Sequence, residues 1–192
     1  MAFRAFLDTC VLFSATLNDT LLRIAELGAF QPLWSQGVLR ELRTVLQREA
    51  HISPDAAGRR IANMQRAFAD ADVSGYESLI PAMTCDGKDR HVLAATIRGN
   101  AELLITFNVK DFPASSTDPY NIVVRSPDDF LLDQLDLYPG IVNIALTLQC
   151  TEAQRPPMTI NQLLARLKAA GVPEFARAFQ TRQGIPTDIH LS

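Results

Sequence analysis

FRAFLDTCVL, residues 3–12, ends an apolar run on one charge, Asp8, and then returns to apolar residues. Residues 3–8 read as a short buried strand. Val11, Leu12, Ala15, Leu21, Leu22 and Ala25 follow at helical spacing, which predicts a helix from Val11 to about Leu27, with Gly28 as its stop. A strand that passes straight into a helix is the first half of a βα unit, and the rest of the chain repeats the pattern. PLWS, 32–35, reads as a second strand. Ser35 then caps the helix GVLRELRTVLQRE, whose apolar stripe is Val38, Leu42, Val45 and Leu46, with Glu41 near its edge.

Ser53-Pro54-Asp55 starts a further helix, read to about Ala71 with Ile61, Met64 and Phe68 on one face. After a looser segment containing Pro81, Asp89 opens a helix that packs Val92, Leu93, Ala95 and Thr96 inward. ELLITF (102–107) and NIVVR (121–125) read as strands. Strands separated by helices imply an α/β fold with a mostly parallel central sheet buried by helices on both faces. In such sheets the chemistry gathers beyond the carboxyl ends of the strands, which directs attention to Asp8 and to Thr106–Asp111. From Ser126 onward only helical patterns occur, broken at Arg155-Pro156-Pro157 and Gly171-Val172-Pro173. Two parts are therefore expected, an α/β domain over 1–126 and a helical C-terminal extension over 127–192.

The chain has 192 residues, 47% hydrophobic and 20% charged, enough for one main core. Its apolar runs, such as CVLFSA at 10–15, fall short of the ~18 residues a membrane span needs, and no basic segment with a cleavage site is read at its start. A cytoplasmic protein without membrane contact is the expectation. Cys10, Cys85 and Cys150 are odd in number and lack C-x-x-C spacing, so free thiols are expected in place of a disulfide framework or zinc site. The net charge of −3 and pI near 5.6 exclude nucleic-acid binding by bulk charge, but not by a site where a bound cation reverses the local sign. No phosphate-binding glycine loop is present, and His51, His91 and His190 are too scattered for a metal triad; His91 is expected to face away from Asp89.

Four acids stand out: Asp8 after the first strand, Glu41 in the helix after the second, Asp89 at a helix start, and Asp111 after the ELLITFN strand. Each has an ordinary use. Asp8 and Asp89 can cap helices, Glu41 can be a solvated helix residue, and Asp111 can be a turn residue before Pro113. The parallel sheet nevertheless brings at least three of them to one edge. Clustered carboxylates without fixed cationic partners repel one another, and a bound hard cation, Mg²⁺ or Mn²⁺, relieves that repulsion. Oxygen donors without a His or Cys triad favour those ions over zinc, and phosphodiester hydrolysis suits such a site. Thr9 and Thr106 either orient carboxylates or satisfy buried backbone groups; Lys88, Arg90 and Lys110 either touch phosphates or remain solvated.

FLDTCVL (6–12), SQGVLREL (35–42), DGKDRHVLAA (86–95) and LLITFNVKDFP (103–113) resemble, in this order, the successive motifs of PIN domains. The likeness is nearest to ribonuclease toxins of the virulence-associated protein C (VapC) type and covers roughly residues 3–126. The resemblance implies a three-layer α/β/α domain and a Mg²⁺- or Mn²⁺-dependent endoribonuclease acting on RNA. It also implies a small antitoxin as partner and a homodimer as a common assembly. By position it makes Asp8, Glu41 and Asp89 metal-binding acids, with Asn108 or Asp111 at the fourth position and Asp86 at the rim. Many PIN domains carry aspartate where this chain has Asn108. That departure, with the added helices, motivates an alternative from another class: a PIN-like module that binds RNA or protein without cutting.

Overall fold

The structure, a computed structural model, describes residues 3–153 and 157–185. Pro156 of the expected break and His190 lie outside the described residues. The elements in chain order are β1 (Arg4–Leu7), α1 (Thr9–Phe13), α2 (Ala15–Glu26), β2 (Gln31–Ser35), α3 (Gln36–Arg48), α4 (Pro54–Ala67) and β3 (Asp72–Val73). They continue with α5 (Arg90–Arg98), β4 (Leu103–Ile105), α6 (Ala114–Thr117), β5 (Val123–Arg125), α7 (Pro127–Leu137), α8 (Pro139–Glu152), α9 (Ile160–Ala169) and α10 (Pro173–Arg182). Short 3₁₀ turns occupy Glu77–Ala82, Val109–Asp111 and Asp118–Tyr120. The chain groups into two compact units, one of Met1–Phe13 with Phe30–Ser126, the other of Ser14–Ala29 with Pro127–Ser192.

In the first unit all five strands run parallel in the order β3-β2-β1-β4-β5. Consecutive residues Ala5, Phe6 and Leu7 are each 0% exposed, so both faces of the central strand are covered, as the expected α/β fold requires. Ser35 ends β2 and caps α3 by accepting from the Val38 N–H at 3.3 Å, which turns the sheet directly into the helix that carries Glu41. Ser53 does the same for α4 through the Ala56 N–H. That helix stops at Ala67, short of Ala71, because the chain must extend to pair β3 with β2 at the sheet edge. Two residues are too few to show a strand's alternation, so β3 carries no sequence signal.

The expected helix Val11–Leu27 is two helices. Ser14 takes an extended conformation and accepts from the Leu17 N–H at 3.3 Å, ending α1 and starting α2. Val11 and Leu12 therefore belong to the sheet unit, while α2 belongs with the C-terminal helices. Gly28, with φ of 89°, takes a left-handed conformation after α2.

The second unit is helical. Its core includes Leu17, Leu21, Phe130, Leu146, Leu167, Phe175 and Phe179. Thr20 donates to Gln149 Oε1 at 2.7 Å inside it, and both oxygens of Asp128 accept from the Glu174 and Phe175 N–H groups at the start of α10. Thr159 and Gln162 form a reciprocal capping box on α9. No helix among the described residues is long and apolar enough to cross a membrane.

Candidate active site

Leu7 of β1 pairs with Ile105 of β4, so the residues that follow, Asp8 and Thr106, leave the sheet side by side at its carboxyl end. The strand order reverses between β1 and β4, the position where open parallel sheets form a crevice. Asp8 is only 5% exposed yet fully engaged. Its Oδ1 accepts from the Thr9 N–H at 2.6 Å, and its Oδ2 accepts from the Thr106 hydroxyl at 2.7 Å and the Cys10 thiol at 3.3 Å. Burial, with the Asp8 charge next, pushes that thiol up to about 12, so it stays a neutral donor. Thr106 Oγ1 accepts in turn from the Asn108 N–H at 3.0 Å. This fixes the turn after β4 to the same carboxylate.

Asp89 stands at the cap position of α5 but makes no capping bond; its backbone φ of −102° and ψ of 0° is not the extended conformation that aims a side chain at the first turn. The preceding turn is held by Asp86, whose Oδ1 accepts from the Lys88 N–H at 3.1 Å, so Asp86 serves its own loop. Asp89 is 8% exposed, and its Oδ2 is buried without a hydrogen-bond partner. The Lys88 ammonium is 3.8 Å from that oxygen, beyond hydrogen-bond reach, and sits closer to Asp111, at 3.0 Å. Burial, opposed by Lys88 and reinforced by Asp8, Asp111 and Asp86, pushes the Asp89 carboxyl up to about 6.

Glu41, half exposed on α3, accepts from the Thr9 hydroxyl at 2.8 Å, and its other oxygen lies 3.2 Å from His91 Nε2. That imidazole contact is close enough for an ion pair, although the ring N–H is not aligned for a hydrogen bond by angle. Burial raises Glu41, but the His91 and Thr9 contacts outweigh it and the net shift is downward; His91 is raised, chiefly by Glu41. His91, expected to face away from Asp89, meets another of the acids, Glu41. Asp89 precedes the helix, so helical spacing does not relate the two side chains, and His91 turns toward α3.

A cleft of ≈ 370 Å³ is lined by Asp8, Thr9, Glu41, Lys88, Asp89 and Asn108, among others. Of the two candidates after β4, Asn108 lines the cleft, whereas Asp111 is engaged by Lys88 and does not line it. Both Thr9 and Thr106 orient carboxylates. Sequence reasoning left that role open for the threonines and missed Cys10 and His91. No sequence signal was available for His91; Gly37 accounts for its place only once the fold is formed. A Cβ there would lie 2.9 Å from Tyr76 Oη and 3.2 Å from His91 Cδ2, so glycine lets the α5 start close onto the first turn of α3.

Among the described residues no group of three or more His, Cys, Asp or Glu side chains is arranged to hold a metal. Mg²⁺ does not require one, since it keeps several waters and binds through one or two carboxylates. The donor set is hard oxygen, and the orphaned Asp89 Oδ2 is an unmet acceptor of the kind a cation satisfies. The residues fit such an ion.

A family model described as PIN domain matches residues 4–110, more than half of the chain, and the chain belongs to the PIN domain family. The match includes Asp8, Glu41, Asp89 and Asn108. A second model, the VapC50 C-terminal domain, matches residues 127–181. The chain is 46% identical over 102 residues to a protein of Mycobacterium tuberculosis (strain ATCC 25618 / H37Rv) named "Putative ribonuclease VapC50". That alignment covers 53% of this chain and 60% of the relative's length. No solved structure matches the chain significantly.

Proposed function

We infer that the protein is a metal-dependent endoribonuclease of the VapC type, the toxin of a type II toxin–antitoxin pair, acting on RNA in the cytoplasm. Family membership and the named relative support the reading, and one observation carries it: a buried carboxylate, Asp89, lines the same cleft as Asp8 with one oxygen, Oδ2, that accepts no hydrogen bond and has only Lys88 at 3.8 Å as a countercharge. Asp8 and Asp89 would hold Mg²⁺ or Mn²⁺, with Glu41 and Asn108 at the edge of the donor set and Asp111 outside it, acting through Lys88. When bound, the ion supplies Lewis-acid activation of water and neutralises charge on a phosphate oxygen.

The chain's own residues do the positioning. Thr106, Cys10 and the Thr9 N–H hold both oxygens of Asp8 in one orientation. Thr9 also reaches Glu41, so a single residue sets the relation between two acids contributed by different elements. Lys88 places a positive charge at the cleft wall, where it can meet a phosphate oxygen. The two parts, 1–126 and 127–192, are proposed as nuclease domain and helical extension, with a small antitoxin and a second copy as partners.

RNA cleavage by the full chain, with and without EDTA, beside Asp8→Asn and Asp89→Asn, tests the reading. Loss of cleavage in all three conditions is expected, and undiminished cleavage by either variant refutes the site. A non-cutting PIN-like binding module is the second reading, favoured by Asn108 in the cleft wall where an acid would strengthen cation binding. It predicts no thermal stabilisation by millimolar Mn²⁺, whereas ~2.7 kcal/mol accompanies ligand at about a hundred times its dissociation constant.

A further inference from the structure

A second cleft, ≈ 450 Å³, opens beside the acid cleft and shares Glu41 and Val45 with it. Its chemistry differs. Arg40 and Arg48, about two helical turns apart on the exposed face of α3, line it with Thr44, Tyr76, Glu77 and Ile80. Among the described residues neither the Arg40 guanidinium nor the Tyr76 hydroxyl makes a side-chain hydrogen bond, and the Arg40 charge acts on its neighbour Glu41. Arg48 is held only by its neighbour Glu49 at 2.8 Å, an exposed pair with side chains 71% and 52% accessible, which gives little hold on the guanidinium. Two exposed guanidinium groups beside a carboxylate cleft offer a phosphate backbone two planar donor forks.

The remaining wall narrows the class of anion. Glu77 is an acceptor only and would repel a bare phosphate, but it suits the donors of a nucleotide, a ribose hydroxyl or a base amino group. Ile80 and Val45 supply an apolar wall against which a sugar or base packs. Gly37 permits the close approach of Tyr76 that closes the floor.

We propose that this cleft is a nucleotide subsite for single-stranded RNA, where Arg40 and Arg48 bind the backbone next to the phosphodiester held in the acid cleft and Glu77 with Ile80 receives the flanking nucleoside. The subsite rests on the nuclease reading for its place in the reaction, but its binding is measurable without cleavage. Arg59 on α4 is exposed, carries the same charge and lines neither cleft, so it serves as the control for bulk electrostatics.

The test measures fluorescence anisotropy of a labelled single-stranded RNA of about ten nucleotides on the Asp89→Asn protein, across a salt series, with Arg40→Glu, Arg48→Glu or Arg59→Glu added. Arg40→Glu is expected to weaken binding about tenfold at ~0.1 M salt and to reduce the slope of log K against log salt by about 0.7, the value for one lost contact on a single strand. Arg59→Glu should leave binding within about twofold. In the protein with Asp89 intact, Arg40→Glu should raise KM with kcat retained, the signature of lost binding shared by ground and transition states. Equal effects of Arg40→Glu and Arg59→Glu, RNA binding insensitive to Arg40→Glu, or no RNA binding at all would each overturn the subsite. Failure of the nuclease reading looks different: no cleavage by the unmodified chain, with Arg40-dependent binding retained.

Discussion

Replacing Asp89 by asparagine should stabilise the metal-free protein at neutral pH while abolishing its activity. The carboxyl ionises near its ordinary value of 3.8 in the unfolded chain and near about 6 in the folded protein. Between those values folding takes up a proton, so native stability falls as pH rises through the window and is lowest, on account of this group, above about 6. The gap from 3.8 to about 6, at ~1.4 kcal/mol per pH unit, sets an upper bound of ~3 kcal/mol on the cost of the ionised group. The attraction of Lys88 is already contained in that value, and the solvent that still reaches the Asp89 side chain, 12% exposed, screens the charge and reduces the figure to about 1–2 kcal/mol. Asparagine keeps the shape and removes the charge. At ~2–4 °C per kcal/mol for a chain of this size, the variant should melt about 2–8 °C higher at pH 8. Through the window the difference should shrink as pH falls, and below about 3.8, where the group is neutral in both states, it should approach zero. Thermal unfolding in EDTA at a series of pH values measures the two curves. A variant that melts lower than the parent at pH 8, or a difference that does not change with pH, would refute the account of Asp89 as a buried charge that Lys88 only partly compensates.

Thr106→Val removes a fully buried hydroxyl that both donates to Asp8 and accepts from the Asn108 N–H, and should cost about 1–3 kcal/mol by chemical denaturation, with Thr106→Ser restoring most of it. Gly99→Ala should destabilise by about 1–3 kcal/mol, since its Cβ would lie 2.9 Å from both Leu33 Cδ1 and Val73 Cγ2; an unchanged denaturation midpoint would show that this packing is looser than it looks. His91→Asn should let the Glu41 carboxyl rise back toward the ordinary range in an NMR titration, because the largest of the influences holding it down is removed. Ser14→Ala should cost about 0.5–2 kcal/mol through the lost cap on α2, read as a lower melting temperature.

The parts of the fold that were legible are those where one residue type has one local use. Ser35 and Ser53 announce helix starts, Pro54 occupies a first turn, and the unbroken apolar run Ala5–Leu7 marks a strand buried on both faces. Ser14 was not legible as a break because apolar spacing continues at a helical period on both sides of it. Only the assignment of Val11 and Leu12 to one core and Leu17 and Leu21 to another shows that two amphipathic faces were read as one. At the site, Asp8 and Asp89 could be named from their places at strand and helix ends. The Glu41–His91 contact could not, since it joins α3 to α5 and depends on glycine at 37, a constraint visible only once Tyr76 and His91 are in place.

The alternative uses first open to the acids are separated by how their oxygens are satisfied. Asp128 shows what a structural acid looks like in this chain: both oxygens accept backbone N–H groups at a helix start, at 2.8 and 3.1 Å. Asp8 is as completely engaged, but by two side chains and its neighbour's N–H, a pattern that fixes the carboxylate's direction without capping a helix in the usual way. Asp89 has neither arrangement. Its sequence position is that of a cap, yet it donates nothing to helix stability through a capping bond, and one of its oxygens is buried with its acceptor capacity unused. A fold that needed only a cap at this position would gain by aiming that oxygen at the first turn of α5, as Ser35 does for α3. Leaving it buried beside Lys88 without a hydrogen bond costs stability in the free protein, a cost that a residue kept only for folding would not carry.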